Sequence, residues 1–264
     1  MNRSWSHLFE KVYFVDKEPK TYKILGCPCS PYDTEEEIST ELVRLININK
    51  GGYSVAINAE KILKYSENDK LKEIINSASL CYPDGAGAVL GLKWLYGKRA
   101  QKLNFPIISL ETAEREQWPV FILGTQEDIN LNACDKIKNL FPAIQISGRA
   151  NGFVSDDDKI NLIKLSKPKL ILIAMGTPRQ EQFAKRLIDE GITAFSVGCG
   201  GALDILAGKT IRAPQFMIDN NLEWFYRLYK EPSRWQRQLV LPVFVVKVLY
   251  EAFIRKIGAR KDYS

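Results

Sequence analysis

From Pro119 onward the chain alternates short, wholly apolar runs with longer stretches in which apolar residues recur every three or four positions, and that alternation narrows the fold more than any other feature. Pro119-Val120-Phe121-Ile122-Leu123-Gly124 is the first run; Ala143 to Ser147, Lys169-Leu170-Ile171-Leu172-Ile173-Ala174 and Thr193-Ala194-Phe195-Ser196-Val197 follow. A strand that is apolar on both sides must be covered on both sides, which calls for a mainly parallel sheet with helices over each face. The intervening stretches supply the helices: one with Ile129, Cys134, Ile137 and Leu140 on a single face, one from Asp156 to Leu165, and one from Pro178 to Asp189.

The first half reads less regularly. Residues 1–20 show no clear periodicity, and Tyr22 to Leu25 is predicted as an edge strand stopped by Pro28-x-x-Pro31. Asp33-Thr34-Glu35-Glu36-Glu37 opens a helix, with acids at the positive end of its dipole and Ile38, Leu42, Leu45 and Ile46 at helical spacing, and Gly51-Gly52 ends it. Tyr53 to Asn58 is a strand running directly into a helix that starts at Ala59 and reaches about Asn76. Ser79-Leu80-Cys81-Tyr82-Pro83 is a further apolar run, stopped by Asp84 and followed by a helix that Gly97 closes after Tyr96. The expected class is α/β, Rossmann-like, with residues 1–230 as one catalytic-sized domain and residues 231–264 as a C-terminal helical appendage.

In sheets of this kind ligands bind beyond the carboxyl ends of the strands. Asn58, Asp84, Gly124, Gly176 and Gly198 all fall at such ends. Asp84 has two readings. A carboxylate at a strand mouth, ahead of a glycine turn that allows close approach of a ligand, can take a proton from an incoming hydroxyl; Asp is equally a favoured helix N-cap. Asn58 has the same pair of readings, cap or ligand contact. Gly85-x-Gly87-x-x-x-Gly91 resembles a loosened dinucleotide-binding turn, but its acid precedes the glycines and no acidic ribose partner follows. Asp156-Asp157-Asp158 could be a metal-binding acid pair, yet after Ser155 and ahead of a helix it reads better as a charged first turn.

The 264 residues, 45% hydrophobic and 26% charged, are ordinary for a soluble globular protein. Five scattered cysteines and a polar stretch after Met1 suggest a reduced, cytosolic setting. Cys27-Pro28-Cys29 has one residue between its thiols where a redox or zinc pair usually has two or more, and His7 is the only histidine. No metal, no cofactor and no histidine relay is therefore expected.

The net charge of +6 is unevenly spread: from Arg227 onward nine bases face three acids, and the preceding residues carry 28 of each. An anionic surface would therefore be met at the tail. There Leu239 to Val246, then Val248, Leu249, Tyr250, Phe253 and Ile254, make an apolar span of about sixteen residues interrupted by Pro242, Lys247 and Glu251, too short and too charged to cross a bilayer comfortably. A basic amphipathic helix lying in the membrane interface suits it better, with Arg255, Lys256, Arg260 and Lys261 on anionic headgroups. The competing readings are a core helix or an oligomer contact.

Several stretches together resemble the WecG/TagA/CpsF family of bacterial glycosyltransferases (glycosyltransferase family 26). They are Ala56-Ile57-Asn58-Ala59-Glu60-Lys61, Tyr82-Pro83-Asp84-Gly85, Pro119 to Gly124, Ala174-Met175-Gly176-Thr177-Pro178-Arg179-Gln180-Glu181, Gly198-Cys199-Gly200-Gly201 with Asp204, Arg212-Ala213-Pro214, Leu222 to Leu228, and Pro232-Ser233-Arg234 with Arg237. The likeness implies an inverting, metal-independent transfer of a sugar from a UDP-sugar donor to a polyprenyl-diphosphate-linked sugar acceptor, by a peripheral protein on the cytoplasmic face of the bacterial plasma membrane. It implies Asp84 as general base and Asn58, Gly85, Gly124, Gly176, Gln180, Asp204, Arg212, Arg234 and Arg237 as substrate-binding residues, with the appendage helping to complete the site. Physical chemistry agrees in outline: the departing diphosphate needs backbone amides, the Gln180 amide and guanidinium groups around it.

Ala-Ile-Asn-Ala-Glu-Lys is most similar to the branch that transfers N-acetylmannosaminuronic acid onto undecaprenyl-diphosphate-N-acetylglucosamine; the branch that transfers N-acetylmannosamine usually has threonine at the place of Ala56. Where relatives carry an arginine and a glycine ahead of an acid and leucine, this chain reads Gln101-Lys102-Leu103-Asn104-Phe105-Pro106. No nucleic-acid partner is expected, and self-association is compatible with the sequence. Two other classes stay open: a dinucleotide-binding oxidoreductase and a non-catalytic membrane-associated scaffold.

Overall fold

The computed structural model describes residues 20–208 and 240–261, together with Met217 and Tyr226. Tyr22–Ile24 (β1) and Cys27–Cys29 (β2) form a small antiparallel hairpin apart from the main sheet, so the strand expected at Tyr22 has a partner in the residues expected to break it. Leu25 and Gly26, at φ 48° and 84°, make a two-residue turn of the left-handed kind that matches strand twist. Pro28 is tolerated because a two-stranded ribbon leaves one side of each strand without a ladder to feed.

The main sheet has six strands: β3 (Gly52–Ile57), β4 (Leu80–Pro83), β5 (Pro119–Gly124), β6 (Gln145–Ala150), β7 (Leu170–Ala174) and β8 (Phe195–Gly198). Their order is β4-β3-β8-β7-β5-β6 and every pairing is parallel. The period-2 alternation of each apolar run splits it between two cores. Phe121, Leu123, Ile171 and Ile173 face one, and Val120, Ile122, Leu170 and Leu172 face the other. The α/β class with helices on both faces is therefore as expected.

On the second face lie α1 (Glu35–Asn47), α5 (Phe105–Arg115), α6 (Glu127–Leu140) and α9 (Gly201–Leu206), through Leu42, Ile108, Ile137 and Leu203. The first face takes α2 (Ala59–Tyr65), α3 (Asp69–Asn76), α4 (Ala86–Tyr96), α7 (Asp156–Ser166) and α8 (Arg179–Asp189), through Ile62, Ile74, Leu92, Ile163 and Phe183. The single helix expected from Ala59 to Asn76 is two, because the Asn68 side chain accepts from the Leu71 amide and starts a new helix there. Helix α5 was not foreseen: Pro106 sits in its first turn, where a missing N–H costs nothing. Strand β6 begins two residues later than expected, and Leu140, expected on the same face as Ile129, Cys134 and Ile137, is the last residue of α6 and 51% exposed.

The Asp156-Asp157-Asp158 run is the charged first turn of α7. Ser155 Oγ accepts from the Asp158 amide, Asp156 pairs with the fully buried Lys159 at 2.9 Å, and Asp157 pairs with Arg186 at 2.6 Å. The hydrogen bond from Lys159 holds the Asp156 carboxyl below its usual range.

The last described helix, Val240–Lys261, docks on the first face against α4 and α2. Phe244 and Val248 are buried within that core. Gly87 and Gly91, one turn apart on α4, make room for the Phe244 ring: a Cβ on Gly91 would lie 3.4 Å from it and 2.9 Å from Ile24. The glycine spacing that resembled a nucleotide-binding turn thus serves helix packing. Glu251 accepts from the Leu25 amide at 2.9 Å, and Arg255 pairs with Glu251 while lying over the Tyr96 ring at 4.6 Å. The outer side of the same helix is also apolar, with Val246, Tyr250 and Phe253 each more than 60% exposed. Phe244→Ala is expected to lower the unfolding free energy by about 3–5 kcal/mol in denaturant titrations, and Val246→Ser by less than about 0.5 kcal/mol.

Candidate functional site

The cleft is assembled where β3, β4, β5, β7 and β8 end. Ile57 and Pro83 are register partners, so Asn58 and Asp84 are each the next residue out, on neighbouring strands. The Asp84 amide donates to the Ile57 carbonyl at 2.7 Å, which carries the parallel ladder one step beyond the sheet and fixes where Asp84 stands. Gly85, at φ 94°, occupies the N-cap position of α4 and has no side chain with which to cap. The cap reading of Asp84 is thereby removed. Its half-buried carboxylate makes no hydrogen bond or ion pair with a described residue. Tyr82, one strand position before, is fully buried, and burial followed by the Asp84 charge holds its phenol well above the usual range.

Asn58 does cap: its Oδ1 accepts from the Lys61 amide at 2.9 Å at the start of α2. No described residue accepts from the carboxamide nitrogen while the oxygen is so used. Ala59 and Gly87 meet where α2 and α4 begin, a Cβ on Gly87 lying 3.0 Å from that of Ala59, so the helix starts behind Asn58 and Asp84 are packed on one another.

Gly124 and Ala174 are register partners at the ends of β5 and β7. Strand β5 leads outward to β6 while β7 leads inward to β8, which makes their junction a switch point of the sheet and a natural crevice. Gly124, at φ 115°, is required by contact rather than by ligand: a Cβ there would run into the Ala174 carbonyl. Gly176, at φ 75°, has open space around the position of a Cβ. Thr125, in the left-handed region at φ 56°, donates its hydroxyl to Asp204 on α9 at 3.3 Å. The Gln180 side chain points inward: its amide nitrogen lies 2.5 Å from where a Cβ on Gly198 would stand, and the residue is 8% exposed. It therefore forms the floor under the end of β8. Arg212, Arg234 and Arg237 lie outside the described residues.

Two features escaped the sequence reading. Phe153, in the loop after β6, is 78% exposed although Asn151 Oδ1 ties that loop down by accepting from the Phe153 and Val154 amides. An Asn-Gly pair directly after a strand is the signal that could have marked a fixed turn there. Lys61 and Glu181, quoted within two separate motifs, form an ion pair at 3.0 Å. The described residues contain no group of three or more His, Cys, Asp or Glu placed to hold a metal ion. All five cysteines are free and buried, and burial pushes Cys27 and Cys81 up to about 12, so neither is a nucleophile at neutral pH.

Comparison with known proteins matches residues 22–258 to the glycosyl transferase WecG/TagA/CpsF family. Two similar relatives carry the name N-acetylglucosaminyldiphosphoundecaprenol N-acetyl-beta-D-mannosaminyltransferase. The protein of Bacillus spizizenii (strain ATCC 23059 / NRRL B-14472 / W23) is 34% identical over 206 residues, which is 76% of this chain and 80% of the relative. That of Bacillus subtilis (strain 168) is 33% identical over 184 residues, 68% of this chain and 72% of the relative.

Because Gly85 and not Asp84 stands at the N-cap, Asp84→Ala is expected to shift the unfolding free energy by less than about 0.5 kcal/mol. A loss of about 1 kcal/mol or more in denaturant unfolding is what removal of a cap would produce.

Proposed function

The chain belongs to the WecG/TagA/CpsF family of glycosyltransferases, and from that premise we propose that it transfers an N-acetylmannosamine-type sugar from a UDP-sugar to undecaprenyl-diphosphate-linked N-acetylglucosamine, with inversion at the anomeric carbon. The observation that carries the reading is Asp84: a carboxylate held at the end of β4 by its own backbone, beside Asn58, with no described group competing for it. In the proposed step Asp84 takes the proton of the acceptor hydroxyl, the oxygen attacks the anomeric carbon, and the bond from that carbon to the UDP oxygen breaks, so that the negative charge leaves on UDP.

The departing charge falls to the Gly176–Gln180 turn and the start of α8, where helix amides and the positive end of the dipole favour an anion. Arg212, Arg234 and Arg237 are proposed to add guanidinium groups. Gly124, Gly176 and Asp204 border the crevice proposed for the nucleotide, and Phe153 offers an exposed aromatic face at its rim for a base. The names of the two Bacillus relatives favour N-acetylmannosamine as the sugar; Ala56 favours its uronic acid form. Gly87 and Gly91 pack against Phe244 and Ile24, which takes away the one glycine pattern that spoke for a dinucleotide-binding oxidoreductase.

Residues 1–230 are proposed as the catalytic part and residues 231–264 as the part that meets the membrane. No described helix is long and apolar enough to cross a membrane. A helix with apolar residues on the side away from the core, followed by Lys256, fits a peripheral seat on an anionic surface, and a lipid-linked acceptor would be met there; Arg255, expected on the headgroups, is instead held by Glu251 and Tyr96.

Two measurements test this. With UDP-N-acetylmannosamine and UDP-N-acetylmannosaminuronic acid offered in turn to a lipid-diphosphate-N-acetylglucosamine analogue, Asp84→Asn is expected to cut kcat by about 10²–10⁴-fold on whichever donor the wild type uses; more than half of wild-type turnover would remove Asp84 from the chemistry. In flotation with vesicles, the wild type is expected to bind anionic lipid more tightly than neutral lipid, and Val246→Ser/Tyr250→Ser/Phe253→Ser to bind neither; equal flotation of both proteins would remove the membrane role.

A further inference from the structure

Across the sheet, the two halves of the site are separated by β8: Asn58 and Asp84 follow β3 and β4, whereas the Gly176–Gln180 turn follows β7. Among the described residues, one buried side-chain ion pair spans that gap. Lys61 Nζ lies 3.0 Å from Glu181 Oε1, and the two side chains are 11% and 3% exposed. We propose that Lys61 and Glu181 are positioning residues for the transfer, a buried ion pair that sets the spacing between the Asn58–Asp84 edge and the Gly176–Gln180 turn. The inference rests on the transferase reading above.

Each end of the pair is wired into the site. The Lys61 amide is the donor that fixes the Asn58 side chain, so one residue holds Asn58 through its backbone and Glu181 through its ammonium. Glu181 Oε1 also accepts from Thr177 Oγ1 at 2.9 Å, which ties the carboxylate to the turn after β7, and Glu181 itself lies in the first turn of α8. Asn58, Lys61, Glu181 and Thr177 thus form one continuous chain of contacts from the acid side of the cleft to the side proposed for the diphosphate.

Stability does not account for such a pair. Taking two charges out of water costs as much as their attraction returns, and well-packed apolar residues of similar volume commonly do as well or better. The surroundings add to that cost: Glu181 Oε2, Gln180 Oε1 and the hydroxyls of Ser54 and Ser196 are buried without a partner among the described residues, and all four residues gather beside Gly198. A polar layer kept under the floor of a cleft at the expense of stability is the pattern of a site that needs fixed geometry. A displacement of about 1 Å between reacting groups can cost about 100-fold in rate.

The test uses the full-length chain with Lys61→Met, Lys61→Met/Glu181→Met and Lys61→Arg. Lys61→Met leaves a buried carboxylate alone, and both Tm and kcat are expected to fall. The double variant removes both charges, and its Tm is expected to return to that of the wild type or above while kcat stays about 10- to 100-fold low with donor KM changed less than about threefold. Lys61→Arg keeps charge and reach and is expected to retain most of kcat. Recovery of kcat along with Tm in the double variant would overturn the proposal, because a merely structural pair behaves that way. Should the double variant not fold, Glu181→Asp decides: it keeps the charge but withdraws the carboxylate by one carbon, and wild-type kcat there would overturn the proposal equally. Hydrogen exchange gives a readout free of the assay, with amides of residues 176–182 expected to exchange at least about tenfold faster in Lys61→Met/Glu181→Met. Unchanged exchange counts against the pair; faster exchange in a chain whose wild type transfers no sugar upholds the pair and counts against the transferase reading alone.

Discussion

Covering both faces of a parallel sheet leaves its chemistry one place to go. Side chains from Val120 to Leu123 and from Leu170 to Ile173 alternate between two apolar cores, and all of them are buried. Polar groups that must meet a substrate are therefore confined to the residues just beyond the strands, where each chain segment turns into a helix. Asn58 and Asp84 stand there on adjacent strands, and the Gly124–Thr125 and Gly176–Gln180 turns stand there on the next pair. What remains to be built is the spacing between these groups, and the parallel ladder sets it within each pair. Between pairs, across β8, the work passes to side chains.

The C-terminal helix has a double commitment that follows from its composition. Apolar residues on one side seat Phe244 against Gly87 and Gly91 at the start of α4, the helix that begins behind Asp84. Apolar residues on the other side stay in solvent. Apolar surface on a helix is normally covered by protein or lipid, and this helix has protein over one of its two apolar sides. The same element that is proposed to meet the membrane thus contacts α2, which starts directly after Asn58, and α4, which starts two residues after Asp84.

Long apolar runs were legible because nothing else competes with them: β5 falls at Pro119–Gly124 as expected, and α4 runs from Ala86 to the expected end at Tyr96 because Gly97 supplies the left-handed residue that stops it. Segments set by a single side chain were not legible. Asn68 splits what periodicity read as one helix, and Cys27-Pro28-Cys29 becomes a strand through the turn at Leu25 and Gly26, which only the folded hairpin reveals. In the site, strand-end positions could be read from the chain, but the direction of a side chain could not. Gln180 turns inward beneath Gly198, Asn58 caps α2, and Asp84 is displaced from the cap by Gly85, three outcomes that local sequence does not decide. The Lys61–Glu181 bridge joins residues 120 positions apart, and no periodicity or motif spacing carries information at that range.

These strand-end groups are proposed to carry out a single displacement at an anomeric carbon, with the acceptor oxygen entering opposite the departing UDP. The most direct measurement is the anomeric configuration of the product, read by NMR after incubating the wild-type chain with an α-linked UDP-N-acetylmannosamine-type donor and the lipid-diphosphate-N-acetylglucosamine analogue. A product one sugar heavier with a β linkage is predicted; an α linkage, or no gain in mass with either donor, would contradict the account.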